Sequence, residues 1–282
     1  VEKKFFNEPA TYVGGLSINV TDLQQAIDFY QTVIGFQVLD KTERTARLSA
    51  NGKTAMLTLE MPENVTEKER RTTGLYHFAI LLPNRAALSS FLEHALKRGV
   101  QLGAADHEVS EALYLSDPDG NGIEVYSDRD SSGWNWNGDQ VKMGTDPLDG
   151  DGLLAEEREV WSGLPEETIL GHIHLHVANL KASETFYNQG LNFSVVTRYP
   201  GALFISTGDY HHHIGLNTWN GEGAKTPQPN RVGLNWFSLV FPNENSRTEA
   251  VNRLIEAQVK VKTYPEYSEV KDPAGNTIRL TL

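Results

Sequence analysis

The chain of 282 residues is 39% hydrophobic and 22% charged, which is ordinary for globular protein and enough for one large or two medium domains. A net charge of -12 repels nucleic-acid backbones and acidic membrane surfaces, so nucleic acid and membrane are not expected as partners, whereas a small molecule or a second subunit, as in a homo-oligomer, is. The absence of cysteine excludes a disulfide framework, a thiolate metal site and a cysteine nucleophile, so any metal must be held by nitrogen and oxygen.

No apolar run approaches the roughly 18 to 20 residues of a membrane span, and the start VEKKFF lacks the apolar stretch of a secretory signal; a cytoplasmic protein is expected. Residues 15–36 open with an alternating stretch of strand period and turn at Thr21-Asp22. A helix-period stripe of Leu23, Ala26, Ile27, Tyr30 and Ile34 follows, with Thr21 as the expected N-cap and Gly35 as the stop. Short strands are predicted over residues 37–41, 46–50 and 55–60.

A second unit begins at LYHFAILLPN, residues 75–84. It continues through a helical stripe of Leu88, Phe91, Leu92, Ala95 and Leu96 and closes on SDPDGNGIEVY, residues 116–126. Residues 128–168, rich in Gly, Asp, Trp and Glu, read as a connector with a short helix around 153–160. Trp134, Trp136 and Trp161 predict ordered patches there, because indoles are seldom left in water.

Residues 172–193 then superpose on 15–36 without a gap, LNWFSLVFPN (234–243) on LYHFAILLPN, and KDPAGNTIRLT (271–281) on SDPDGNGIEVY. A helical stripe of Val251, Leu254 and Ile255 lies between the last two. The chain therefore reads as two similar halves, residues 10–127 and 169–282, each holding an A-type and a B-type unit.

A strand-helix-three-strand unit met four times, with Asp-Pro-x-Gly-Asn before the last strand of the B units, resembles the vicinal-oxygen-chelate superfamily of glyoxalases, bleomycin-resistance proteins and type I extradiol dioxygenases. The resemblance covers nearly the whole chain outside the connector. It implies an α+β fold of four βαβββ modules forming two cup-shaped mixed-sheet domains, with metal ligands on the first and last strands of units.

The segment His107, five residues, Leu113-Tyr114, two residues, Asp117-Pro118, Gly120 and three residues to Glu124 is similar to the extradiol ring-cleavage signature. It departs only at Ala105, two residues before the histidine. Alternation in GIEVYSD sets Glu124 and Tyr126 on one face and Ile123 and Val125 on the other.

An Fe(II) site for oxygen chemistry needs two imidazoles and a carboxylate on one face of an octahedron, with Mn(II) as a second candidate metal. The resemblance assigns these ligands to His77, His172 and Glu124. Ordinary family members draw all three from the C-terminal half, whereas here Trp236 stands at the place of His77, Arg279 at that of Glu124 and Gly15 at that of His172. The intact set then requires the second unit to pair with the third.

His174 and His176 share the strand face of His172 and are rival ligands. DYHHHIGLN resembles the paired-histidine strand of extradiol enzymes and places an acid-base residue at His212, with His213 as rival; Tyr114 and His107 would act on substrate oxygens. The expected reaction is cleavage of a small catechol-type aromatic diol by O2.

Two other readings stay open. A glyoxalase-type metal enzyme would recruit Glu60, and a metal-free binder would line a cup with aromatics such as Trp219, Trp236 and Tyr267.

Overall fold

The computed structural model describes residues 1–282. The first module comprises β1 (Tyr12–Asn19), α1 (Leu23–Phe29), β2 (Gln37–Lys41), β3 (Thr45–Ser49) and β4 (Leu57–Glu60). The second comprises β5 (Gly74–Leu81), α2 (Arg85–Lys97), β6 (Gly103–Asp106), β7 (Ser110–Ser116) and β8 (Gly122–Asp128).

A connector follows with the hairpin β9 (Trp136–Asn137) and β10 (Gln140–Val141) and the short α3 (Gly150–Leu154). The third module holds β11 (Ile169–His176), α4 (Leu180–Thr185), β12 (Ser194–Tyr199), β13 (Ala202–Ser206) and β14 (Ile214–Asn217). The fourth holds β15 (Gly233–Val240), α5 (Glu244–Glu256), β16 (Lys262–Thr263), β17 (Ser268–Lys271) and β18 (Thr277–Thr281).

The modules form two eight-stranded mixed sheets, and these sheets cut across the two halves drawn from the repeats. One runs β16-β17-β18-β15-β1-β4-β3-β2 and joins the first module to the fourth. The other runs β12-β13-β14-β11-β5-β8-β7-β6 and joins the second to the third. The seams are the antiparallel pairs β1 with β15 and β5 with β11. Every module thus pairs with a partner from the opposite half, the second with the third among them, as expected if the site is intact.

Alternation sends one face of each sheet toward the helices. Leu16, Ile18, Phe237, Leu239, Phe78, Ile80, Ile123, Val125, Ile173 and Leu175 all belong to one core cluster of 50 buried residues. Burying each such side chain is worth about 1.5–3 kcal/mol, which makes this face the main source of stability.

The other, concave face of the second-and-third-module sheet carries a separate cluster of 11 buried residues. There Phe5 and Phe6 from the N-terminal segment and Trp134 and Val141 from the connector pack on Ala79, Leu81, Tyr126 and Tyr210. These insertions fill one end of that cup, and the first-and-fourth-module sheet has no corresponding buried apolar cluster.

Two tyrosines lock the modules to one another. The Asp-Pro turn before β8 is built on Asp117, which accepts from the backbone of Asp119 and Asn121, while Gly120 supplies the left-handed conformation. Tyr30 Oη donates to Asp117 at 3.0 Å. Tyr187 Oη makes the same bond to Asp272 at 3.0 Å in the fourth module.

Local differences from the sequence reading have simple causes. The N-cap of α1 is Asp22, whose carboxylate accepts from Gln25 N at 2.9 Å, because Thr21 is drawn off to Asp119 across the cup edge. Each A-type helix ends in a wider π turn, Tyr30–Ile34 and Phe186–Gly190. The connector helix is Gly150–Leu154 rather than 153–160, capped by Asp149. Leu96 and Ile255, counted in the helical stripes, lie at the edge of the buried face and are exposed. Trp134 is buried and Trp161 packs on Phe91, as expected of indoles.

Candidate metal centre

The helix-free face of the second-and-third-module sheet gathers the histidines. On β11, Ile173 and Leu175 enter the helix-covered core, so His172, His174 and His176 face the cup. On β5, Phe78 and Ile80 do the same, which turns His77 inward. On β8, Ile123 and Val125 leave Glu124, Tyr126 and Asp128 on the cup side. In register, His77 lies opposite His174, His172 opposite Ala79, and Ala79 beside Glu124.

A bulge at Gly171 shifts the ladder just before His172. Glycine is required there because a Cβ would fall 1.6 Å from Tyr126 Oη. Gly215 makes room in the same way for the His174 ring, 2.8 Å from where its Cβ would be.

His77, Glu124 and His172 converge: each offers a ligand atom, and those atoms lie within 4.8 Å of one another. Glu124 Oε2 is 3.0 Å from His77 Nε2 and 3.1 Å from His172 Nε2. All three residues are buried, and no lysine or arginine pairs with the carboxylate.

Burial alone would raise the Glu124 pKa, yet the neighbouring His172 and His77 hold it well below the usual carboxylate range. Burial pushes His172 down to about 4 against the opposing pull of Glu124, so its imidazole is neutral at pH 7. The contact to His77 Nε2 lacks hydrogen-bond geometry and leaves that buried nitrogen without a partner. An anionic oxygen and two imidazole nitrogens aimed at one point, with a nitrogen unspent, suit a divalent cation.

The rival ligands lie outside the converging set, and each bonds Asn217. His174 Nε2 accepts from Asn217 Nδ2 at 2.9 Å, and His176 Nδ1 donates to Asn217 Oδ1 at 2.7 Å. Of the other histidines, His213 donates from Nε2 to Phe5 O at 2.9 Å and accepts on Nδ1 from Ser206 Oγ at 3.1 Å. Both its nitrogens are thus spent, and Nε2 holds the N-terminal segment in the cup.

His212 packs against His172 with ring centroids 4.1 Å apart and the rings tilted, and its burial holds its pKa well below the ordinary value. Sequence reading missed the groups behind it. Asp128 accepts from His211 Nε2 at 2.8 Å, and His211 Nδ1 lies 2.8 Å from His212 Nδ1.

A carboxylate only accepts, so His211 Nε2 carries a hydrogen toward Asp128, and in the tautomer with that single ring hydrogen Nδ1 accepts from His212 Nδ1–H. The chain of bonds leaves His212 Nε2 as a free lone pair. Asp128 was discoverable as the residue four after Glu124 on the same strand face, but its partner His211 comes from another module.

Tyr114, opposite Glu124 in the ladder, donates to His107 Nε2 at 2.6 Å, while His107 Nδ1 donates to Gly144 O at 2.7 Å. Burial and then Glu124 raise the Tyr114 phenol well above its ordinary pKa, so it stays protonated. Tyr76 and Trp219, in edge contact at 5.3 Å and partly exposed, stand beside His174.

Of the residues flagged for other chemistries, Trp219 lies in the histidine cup beside His174, whereas Glu60, Trp236 and Tyr267 belong to the other sheet. Glu60 ends β4 and accepts from Ser17 Oγ at 2.6 Å, far from the histidine cluster in sheet order. Trp236 and Arg279 stack on each other at 4.0 Å.

A model of the Glyoxalase/Bleomycin resistance protein/Dioxygenase superfamily matches residues 12–125 and 169–280. The chain belongs to this superfamily. It is 46% identical over 273 residues to a catechol-2,3-dioxygenase of Bacillus subtilis (strain 168), covering 94% of this chain and 95% of that relative.

Solved structures share the superfamily fold at low identity. A candidate dioxygenase from Bacillus subtilis matches with a TM-score of 0.66 at 11% identity, over 96% of this chain and 84% of that one. Glyoxalase I from Zea mays matches with a TM-score of 0.59 at 17% identity, over 96% and 92% respectively. The fold hosts several chemistries, so the reaction must be argued from the site. No helix is long and apolar enough to cross a membrane.

Proposed function

We propose that the chain is an Fe(II)-dependent extradiol dioxygenase that cleaves a catechol-type aromatic diol with O2, and that His77, Glu124 and His172 hold the metal. The observation that carries this reading is their convergence on one point around a buried carboxylate that has no lysine or arginine partner. Kinship at 46% identity to a catechol-2,3-dioxygenase supports the same reaction class. Mn(II) would satisfy the same donor set.

Fe(II), when bound, would supply the one-electron chemistry that lets O2 react with a closed-shell ring. The protein's own residues handle position and protons. The free Nε2 of His212 accepts a proton from a catechol hydroxyl, and the Asp128–His211 bonds keep that nitrogen unprotonated beforehand. The same nitrogen returns the proton as the ring opens to a hydroxymuconic semialdehyde, which takes up both oxygen atoms of O2.

Tyr114 spends its proton on His107, so it offers its oxygen lone pair to the second hydroxyl of the diol. His107 is thereby a positioning residue. Phe204, packed on the His212 and His174 rings, helps keep water from the reacting face.

The test is anaerobic reconstitution with Fe(II) followed by absorbance detection of the yellow ring-cleavage product from catechol. Turnover by the wild type and its loss in Glu124→Ala are expected. Unchanged turnover in that variant would sink the ligand assignment, and no oxygen uptake by the loaded wild type would sink the reaction.

A further inference from the structure

We propose that the cup formed by the first and fourth modules is a second binding site, for a small monocarboxylate held by Arg279. Its sheet repeats the first cup's plan residue for residue. Ser17 faces Trp236 as His174 faces His77, Gly15 faces Ser238 as His172 faces Ala79, and Ser238 lies beside Arg279 as Ala79 lies beside Glu124. Leu16, Ile18, Phe237, Leu239, Ile278 and Leu280 turn to the core, so Ser17, Asn19, Trp236, Ser238 and Arg279 share the helix-free face.

Arg279 is the unusual residue of this face. Its guanidinium lies 4.0 Å from the Trp236 ring centroid and 4.7 Å from that of Tyr267, so both rings hold it in place. It has no hydrogen bond from its side chain and no carboxylate within ion-pair distance, and its Nε is buried without a partner. Glu269, opposite it in the ladder, turns instead to Lys262 at 3.4 Å. A second orphan lies on the same face: Asn19 is 91% buried and its Oδ1 has no partner, although its Nδ2 donates to Arg231 O.

A guanidinium keeps its charge at any ordinary pH, and its fork matches the two oxygens of a carboxylate. Where the first cup presents an anion that calls for a metal cation, this cup presents the cation itself. Glu60 and Glu269 on the same sheet disfavour a polyanion, which narrows the ligand to a single small carboxylate.

The experiment is calorimetric titration of benzoate into the full chain, metal-free and again loaded anaerobically with Fe(II), with benzamide as the neutral control. Saturable binding of one benzoate per chain is expected, equal within twofold in both states, with no binding of benzamide. Arg279→Lys, which keeps the charge and loses the fork, should weaken binding at least tenfold.

No saturable binding, equal binding by Arg279→Lys or by benzamide, or binding that appears only after iron loading would overturn the proposal. The last outcome would place benzoate at the metal centre. Should Arg279→Lys fail to fold, nuclear Overhauser contacts between benzoate and the Trp236 indole in the wild type decide, and their absence at saturation overturns the proposal.

Discussion

The two cups share one strand plan and differ in what fills it. Equivalent positions hold His77, Glu124 and His172 in one and Trp236, Arg279 and Gly15 in the other. The helix-covered faces of both sheets remain apolar and share a single core. Stability constrains the outward face of each strand and leaves the concave face free to diverge, so chemistry can be lost from one cup without loss of fold.

The comparison is broken most sharply by removing the carboxylate. Glu124→Gln should lower turnover by about 10³-fold or more and reduce bound iron measured by plasma emission, because two neutral imidazoles alone leave the charge of a divalent ion uncompensated. His212→Gln should lower kcat by about 10²–10⁴-fold while bound iron stays at the wild-type level, since the role proposed for His212 is proton transfer and not metal binding. Equal loss of iron in that variant would move His212 into the ligand set.

Asp128→Asn should cost less, on the order of 10-fold to 100-fold in kcat, by releasing the tautomer of His211 and through it of His212. Nitrogen NMR of the imidazoles in the metal-free protein gives an independent readout. Wild-type His212 should carry its hydrogen on Nδ1, and the variant a mixture.

A further contrast is pH sensitivity. His213 occupies the place that Met56 holds in the other cup, preceding the closing strand of its module. Burial depresses the His213 pKa to about 3 from an ordinary 6.5. The unfolded chain therefore takes up a proton below pH 6.5 that the folded chain refuses until about pH 3.

The stabilising difference is complete above pH 6.5 and is lost as pH falls through that window, at up to about 1.4 kcal/mol per pH unit from this residue. Urea unfolding at pH 7 and pH 5 should show a smaller drop in His213→Gln than in the wild type.

The smallest effects sharpen the comparison through its symmetry. Tyr30→Phe and Tyr187→Phe each leave a buried turn aspartate short of one donor, at about 1–3 kcal/mol in thermal unfolding. Only Tyr30 secures the turn that leads into β8 and Glu124, so only Tyr30→Phe should also weaken iron binding.

The repeats, the strand-helix order and the three residues that converge were legible in the sequence because each rests on local pattern: alternation on β5, β8 and β11, and the spacing from His107 to Glu124. The pairing of modules was legible only indirectly, through ligand types missing from complementary units. What stayed hidden depends on contacts between distant segments. Asp22 caps α1 because Thr21 is claimed by Asp119 from another module, and the His211–Asp128 bond joins a loop of the third module to a strand of the second.

The central claim is that one cup holds a metal and the other does not. Its most direct test is the number of Fe(II) ions bound per chain after anaerobic reconstitution and desalting, in the wild type and in a variant with His77→Ala and Glu124→Ala together. One ion in the wild type and none in the double variant is the predicted result; two ions in the wild type, or one retained by the double variant, would contradict it.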